Sequence, residues 1–452
     1  MKQKIYTLLL TAFVLYGLTS VMPGLTGCLA GAQEKPWTLR DCIGYALEHS
    51  LNVQRSALQV MQREIDVNTA ENDRLPGVRG SASQNFSFGR GLTADNTYAN
   101  TNTTNTSLSL GADMTLFNGF RMRNNILLSK LNLEAAMVDL EKAKDDIRVA
   151  VAKAYVQILY NREILAVAQR QIEIDSMQVV RLETLKENGK STAAEVAAQQ
   201  ASLAQSRLTC VQADNNLRLA RLDLAQLLEL PSPEGFDVVA PDEDALAIPL
   251  PAGPEAVYEE AVGIKPAVRA EETRLAYAER NIELAKGGYL PSLSLNGGIG
   301  TNYYTSSGYP SKTFIEQLGN NFSQYVGLSL NVPIFSRLST RNQVRSARVS
   351  YNVQQLQLET AKKQLYKEIQ QAWYNAVSAR SKFESSTEAA SAASESFALA
   401  QAKYENGKSS ITEFNESKNQ YLKARSDLAQ ARYEYIYQTR LLDFYRGREI
   451  EL

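Results

Sequence analysis

The chain has 452 residues, 48 Lys and Arg against 49 Asp and Glu, and a formal net charge of −1. No basic excess is available to neutralise phosphates, which excludes nucleic-acid binding as a main role. One histidine, His49, and three cysteines, Cys28, Cys42 and Cys210, are too few for a His/Cys zinc site, and only His49 could serve a Ser-His-Asp or Cys-His mechanism. The sequence also lacks a P-loop, a dinucleotide fingerprint and an HExxH motif, so neither an enzyme nor a cofactor is expected.

Lys2 and Lys4 precede an apolar stretch from Ile5 to about Val21, broken by Pro23-Gly24. This is the pattern of a secretory signal peptide, too short and too soon interrupted for a membrane helix. Two cleavage signals compete. Leu25-Thr26-Gly27-Cys28 resembles a lipobox, which would remove 1–27 and lipidate Cys28; Ala30-Gly31-Ala32 would instead end the signal at residue 32. Cys42 and Cys210 read as small helix-packing residues.

The remainder is one unit written twice. Ala154-Tyr155-Val156 recurs as Ala372-Trp373-Tyr374, and Glu187-Asn188-Gly189-Lys190-Ser191 recurs as Glu405-Asn406-Gly407-Lys408-Ser409, each 218 residues on. Leu75-Pro76 pairs with Leu290-Pro291 at an offset of 215. Two copies of a long unit indicate a duplication, not a solenoid. The boundaries read as 37–230 for the first repeat, 231–254 for a proline-rich linker with the acidic run Pro241-Asp242-Glu243-Asp244, and 255–448 for the second.

Within each unit a first helix (about Leu39–Asp73, then Glu255–Lys286) gives way to period-two patterning. Strands are expected at about 78–88 and 107–117, then at about 292–303 and 322–335, with polar loops over 89–106 and 305–320. Leu108 and Leu110, and Leu328, Leu330 and Val332, alternate with Ser, Gly and Asn. Such segments match membrane β-strands, although a half-buried soluble sheet alternates in the same way. The signal peptide and the lack of another apolar layer favour the membrane. Only a closed barrel satisfies every backbone group in lipid, and four strands cannot close one.

Helical hairpins follow at 121–230 and 338–446. No proline lies in 77–230 or 334–452, and Gly189 and Gly407 are the only glycines of 121–230 and 336–446. A heptad seam from Ile126 to Ile172 is mostly apolar, a coiled-coil signal. At the turns, Thr192-x-x-Glu195 and Ser410-x-x-Glu413 read as capping boxes, which by itself accounts for both glutamates. Glu416 has no capping role and reads equally as a solvated helix residue.

The duplicated helix–strand–strand–helix unit, the Leu-Pro before each first strand, the tips Lys186-Glu187-Asn188-Gly189 to Glu195 and Tyr404-Glu405-Asn406-Gly407 to Glu413, and the opening Trp37-Thr38-Leu39-Arg40-Asp41 together resemble the TolC family of outer-membrane channels over about residues 37–446. The resemblance implies a mainly α fold with a membrane β-barrel. In it a homotrimer pools twelve strands into one barrel, joined to an α-helical coiled-coil tunnel in the periplasm of a Gram-negative bacterium. It further implies an aperture ringed by Glu413 and Glu416, with Tyr404 as a gating residue and Glu195 as its supporting acid. The arginine that the family can carry two residues after the second turn glycine is replaced by Ser409, beside Lys408. Asn188, Gly189, Lys190, Asn406, Gly407 and Lys408 would form the docking tips for a periplasmic adaptor and its inner-membrane transporter. The expected function is a passive exit duct of a tripartite efflux or type I secretion system. The alternative is a lipid-anchored periplasmic coiled-coil adaptor or structural protein.

Overall fold

The computed structural model describes residues 36–92, 96–240, 253–307 and 310–451. The export signal, Cys28 and the acidic run of the linker lie outside them. The first unit comprises α1 (Leu39–His49), α2 (Leu51–Asn72), β1 (Gly77–Leu92), β2 (Tyr98–Asn118), α3 (Arg121–Glu187) and α4 (Ala193–Leu227). The second comprises α5 (Pro254–Ala261), α6 (Pro266–Lys286), β3 (Ser292–Ser306), α7 (Phe314–Asn320), β4 (Ser323–Asn331), α8 (Ser339–Glu405) and α9 (Ile411–Tyr445).

Each expected leading helix is in fact two. In the second unit Pro266 confines the residue before it to extended backbone, and Lys265 sits at φ −70°, ψ 126°. Its counterpart 215 residues earlier, Ser50, takes φ −56°, ψ 123° and separates α1 from α2. The long helices α3 and α8 have 67 residues each, so each rises about 100 Å at 1.5 Å per residue. Both start from paired left-handed residues, Gly119-Phe120 and Arg337-Leu338. Glycine is required at 119, because a Cβ there would lie 2.3 Å from the carbonyl oxygen of Gly287.

The four strands form one antiparallel sheet in the order β1-β2-β3-β4. β1 and β2 run further than expected. The polar residues of 98–106, expected as loop, pair in register with β1 from Leu92↔Tyr98 to Gln84↔Thr106. The 305–320 connection holds a short helix, α7, entered through a capping box between Thr313 and Glu316. β4 stops at Asn331, two residues before Pro333, which has no N–H for a ladder. The register sorts the side chains cleanly. Leu110 lies opposite Gly80 and Ile299, and Leu295 opposite Leu328 and Met114. The other face carries Ser81, Ser109 and Gly300, then Ser294 and Ser329. Val332 lies just beyond β4. Among the described residues, edges β1 and β4 have no further strand partner.

The main core joins α1 to the middle of α3, the end of α4 and the upper part of α9, around Cys42, Val151, Ile158, Leu224 and Ile436. Cys42 is wholly buried, and burial pushes its thiol up to about 12. The first linker residues belong to this core: Phe236 and Val238 are buried, Trp37 pairs with Val238, and the Tyr155 hydroxyl donates to the carbonyls of Trp37 and Val239. The second unit repeats the arrangement with α5 on α8, through Val257, Leu365 and Ile369. Among the described residues no helix is long and apolar enough to cross a membrane.

Candidate functional site

The hairpin tips are built by local rules. At the first, the Gly189 N–H donates to Lys186 O and the Lys190 N–H to Leu185 O; at the second, Gly407 and Lys408 donate to Tyr404 O and Lys403 O. This closes each long helix with a left-handed glycine, φ 70° and 69°. Asn188 and Asn406 each donate from the side-chain amide to the carbonyl four residues back, both at 2.7 Å. Lys190 and Lys408 are exposed, and neither has an ion-pair partner among the described residues.

Thr192 and Ser410 then cap α4 and α9 through complete capping boxes. Glu195 accepts from the Ser191 hydroxyl at 2.7 Å and the Thr192 N–H at 3.0 Å, and these donors hold its carboxyl below the usual range. Glu413 accepts from the Ser410 N–H at 3.3 Å. Glu416 is exposed and lines a polar groove on α9 with Thr412, Asn415, Asn419, Gln420 and Lys423. Both aperture candidates are therefore at the solvent surface of the single chain, and Glu413 also caps.

Tyr404, expected as a gating residue, lies beneath the surface of the single chain. Its ring is buried, stacked on Phe414 at 5.0 Å and covered by the Arg181 guanidinium at 4.6 Å. Arg181 donates to the carbonyls of Tyr404 and Glu405, both at 2.9 Å, and so ties α3 to the C-terminus of α8. Burial raises the Tyr404 hydroxyl pKa, Arg181 opposes this and Glu195 adds to it. Ser409, at the family's arginine position, has a buried hydroxyl with no hydrogen-bond partner among the described residues.

One cluster escaped the sequence reading. Asp175 on α3 and Lys418 on α9 form an ion pair with 0% and 2% side-chain exposure. Asp175 also accepts from Gln199, at 3.1 Å, and from Ser206, both on α4. Extending the heptad seam from Ala168 and Ile172 lands on Asp175 and then on Val179 and Leu182, all buried. A charged residue on that seam was the available signal. Lys418, with Phe414 and Leu422 four residues to either side, was a second. Arg181 offered none. Among the described residues no cluster of His, Cys, Asp and Glu could hold a metal ion.

Comparison with known proteins agrees with this architecture. The family described as "Outer membrane efflux protein" matches residues 42–229 and 257–447. The outer membrane efflux protein BepC of Brucella suis biovar 1 is 22% identical over 374 residues, covering 82% of this chain and 74% of BepC. The outer membrane protein TolC of Escherichia coli K12 is 25% identical over 356 residues, covering 73% and 72%. The solved structure of CusC superposes with a TM-score of 0.76 at 18% identity, covering 94% of this chain and 99% of that one. The chain thus belongs to the outer membrane efflux protein family, the TolC-like channel proteins of the Gram-negative outer membrane that extend into the periplasm.

Proposed function

We propose that three copies of this chain close their sheets into a 12-stranded barrel and their hairpins into a periplasmic tunnel, which acts as a passive exit duct. The observation that carries this is an open four-stranded sheet with one apolar and one small-polar face, unpaired at both edges among the described residues. In lipid those edges need partners, and closure onto copies supplies them. The apolar face, with Leu108, Leu110, Leu328 and Leu330, would meet lipid; the Ser/Gly/Asn face would line the lumen.

The duplication supports the same assembly. α6 lies between α3 and α8: Arg274 reaches Asp139 on α3 at 2.8 Å, and Glu271 accepts from Gln354 on α8 at 2.5 Å. Its counterpart α2 packs along α3 and leaves Leu51, Leu58, Met61 and Ile65 57–65% exposed. The free face of α8 exposes Val349, Val353 and Leu356; the α3 residues 218 positions earlier, Leu131, Ala135 and Val138, are half-buried or buried. Setting α2 of one chain against α8 of the next repeats the α6 arrangement and fills both vacant faces.

The duct would serve an efflux or type I secretion system, with the tips at Asn188–Lys190 and Asn406–Lys408 receiving a periplasmic adaptor coupled to an inner-membrane transporter. Glu413 and Glu416, three copies of each, would ring the aperture and favour cations. Light scattering in detergent should give three chains per particle, and a stable monomer would overturn the assembly. In planar bilayers the Glu413→Gln/Glu416→Gln double variant, if still trimeric, should lose cation preference; unchanged selectivity removes both residues from the ring. A lipid-anchored adaptor would lack a heat-modifiable barrel, which separates that reading on a gel.

A further inference from the structure

We propose that Arg337, Arg341, Arg345 and Arg348 form a binding surface for anionic phospholipid where α8 leaves the sheet, holding headgroup phosphates of the periplasmic leaflet. The proposal uses the outer-membrane placement of the sheet and does not require the trimer.

Between Glu316 and Glu359 the chain carries no acid, and its only cations are these four arginines. All four are exposed, and none has an ion-pair partner among the described residues. Arg341, Arg345 and Arg348 are three and four positions apart, so they share one face of the first turns of α8. Positive charge at a helix N-terminus opposes the helix dipole, and α8 has no acid in its first turn to offset it. Helix stability therefore does not account for them. Just ahead of them Ile334 and Phe335 are 95% and 77% exposed, and Leu338 is 51% exposed. An apolar strand, then exposed apolar side chains, then a cluster of cations is the order expected of a chain leaving hydrocarbon through an anionic headgroup layer.

The first repeat shows which way this face points. Arg341, Arg345 and Arg348 stand 218 positions after Arg123, Leu127 and Lys130. Those three line one recess with Leu116 and Phe117 at the end of β2. Phe117 lies opposite Leu293, and Leu293 opposite Leu330, on the apolar face. The basic face therefore continues the apolar side of the sheet. The stripe of Val349, Val353 and Leu356 that the next copy would cover lies about a quarter turn round the helix, so closing the trimer leaves the arginines open. The repeats differ in how the charge is met. In the first, Lys130 pairs with Glu71 at 2.8 Å. In the second, the residue 215 positions after Glu71 is Lys286, which pairs with Glu283 on its own helix, and Arg348 gains no acid. A phosphate diester supplies the missing negative charge, and a guanidinium binds it through two parallel N–H donors.

The test is native mass spectrometry of the full chain, released from detergent after titration with phosphatidylglycerol or with zwitterionic phosphatidylcholine of the same acyl chains. Wild type should retain phosphatidylglycerol roughly tenfold better or more, and each arginine removed should cost about fivefold of that preference. Arg341→Gln/Arg345→Gln/Arg348→Gln should then hold the two lipids alike. Arg345→Leu, which restores the residue of the first repeat, should lose about fivefold and serves if the triple variant does not fold. Equal retention of both lipids by wild type, or undiminished preference in these variants, overturns the proposal. So does a triple variant that falls apart into single chains with its lipid preference intact, because the arginines would then belong to a seam between copies. A monomeric wild type would remove the trimer, and the same titration on the monomer still decides the lipid site.

Discussion

Replacing Leu58 by asparagine attacks the vacant face of α2 without touching the fold of the single chain. Leu58 is 65% exposed there, while its counterpart in the second unit, Thr273, is 9% exposed beneath its neighbours. If α8 of the next copy covers Leu58, assembly removes about two thirds of its surface from water. Full burial of a leucine is worth about 1.5–3 kcal/mol, so each seam loses roughly 1–2 kcal/mol. Three seams per trimer bring the loss to roughly 3–6 kcal/mol, or about two to four decades in the trimer dissociation constant. The assay is light scattering in detergent over a concentration series, with circular dichroism confirming unchanged helix content. Leu356→Asn, on the opposing face, should do the same. Gln59→Asn, an exposed neighbour off the apolar stripe, carries a similar helix-propensity cost and should leave the series unchanged. If Leu58→Asn and Leu356→Asn both dissociate no more readily than Gln59→Asn, the α2–α8 seam is wrong.

Arginine at Leu110 or Leu330 should cost about 2–4 kcal/mol if the site is near the bilayer midplane, and would appear as lost heat-modifiability of the barrel. Gly407→Ala meets no neighbour within 4 Å, so its cost is purely the left-handed backbone at φ +69°; about 1–2 kcal/mol should be lost locally, as faster hydrogen exchange confined to the second tip. The Glu195 carboxyl is held below its usual range in the folded state, so its contribution is complete above the unfolded carboxylate pKa and is lost as pH falls through the folded value. Acidification should therefore fray the first turn of α4, seen as faster exchange of the 193–196 amides, and Glu195→Gln, whose amide can still complete the box, should abolish that pH dependence.

How much of this could be read from the chain depended on whether the deciding interaction was local. The hairpins are local: turn glycines, capping boxes and the absence of breakers over 77–230 and 334–452 determine where α3, α4, α8 and α9 begin and end, and the 218-residue spacing of the tips carries through to both helix pairs. The strands were only partly legible. Asn and Thr over 98–106 have turn-like composition, but cross-strand pairing with β1 satisfies their backbone and extends the sheet well past the apolar band. The Asp175–Lys418 pair was least legible: each residue falls on an apolar seam of its own helix, but the two are 243 positions apart and nothing local says which partner either one meets. What turns them into a pair is a seam that the first repeat makes with the second, where α3 packs against α9. Duplication gives the chain two equivalent hairpins, and they meet at that seam. Divergence between the repeats, with Ala393 where the first hairpin has Asp175 and Gln200 where the second has Lys418, means that neither hairpin carries both halves of the pair, so only the contact between the two repeats can form it.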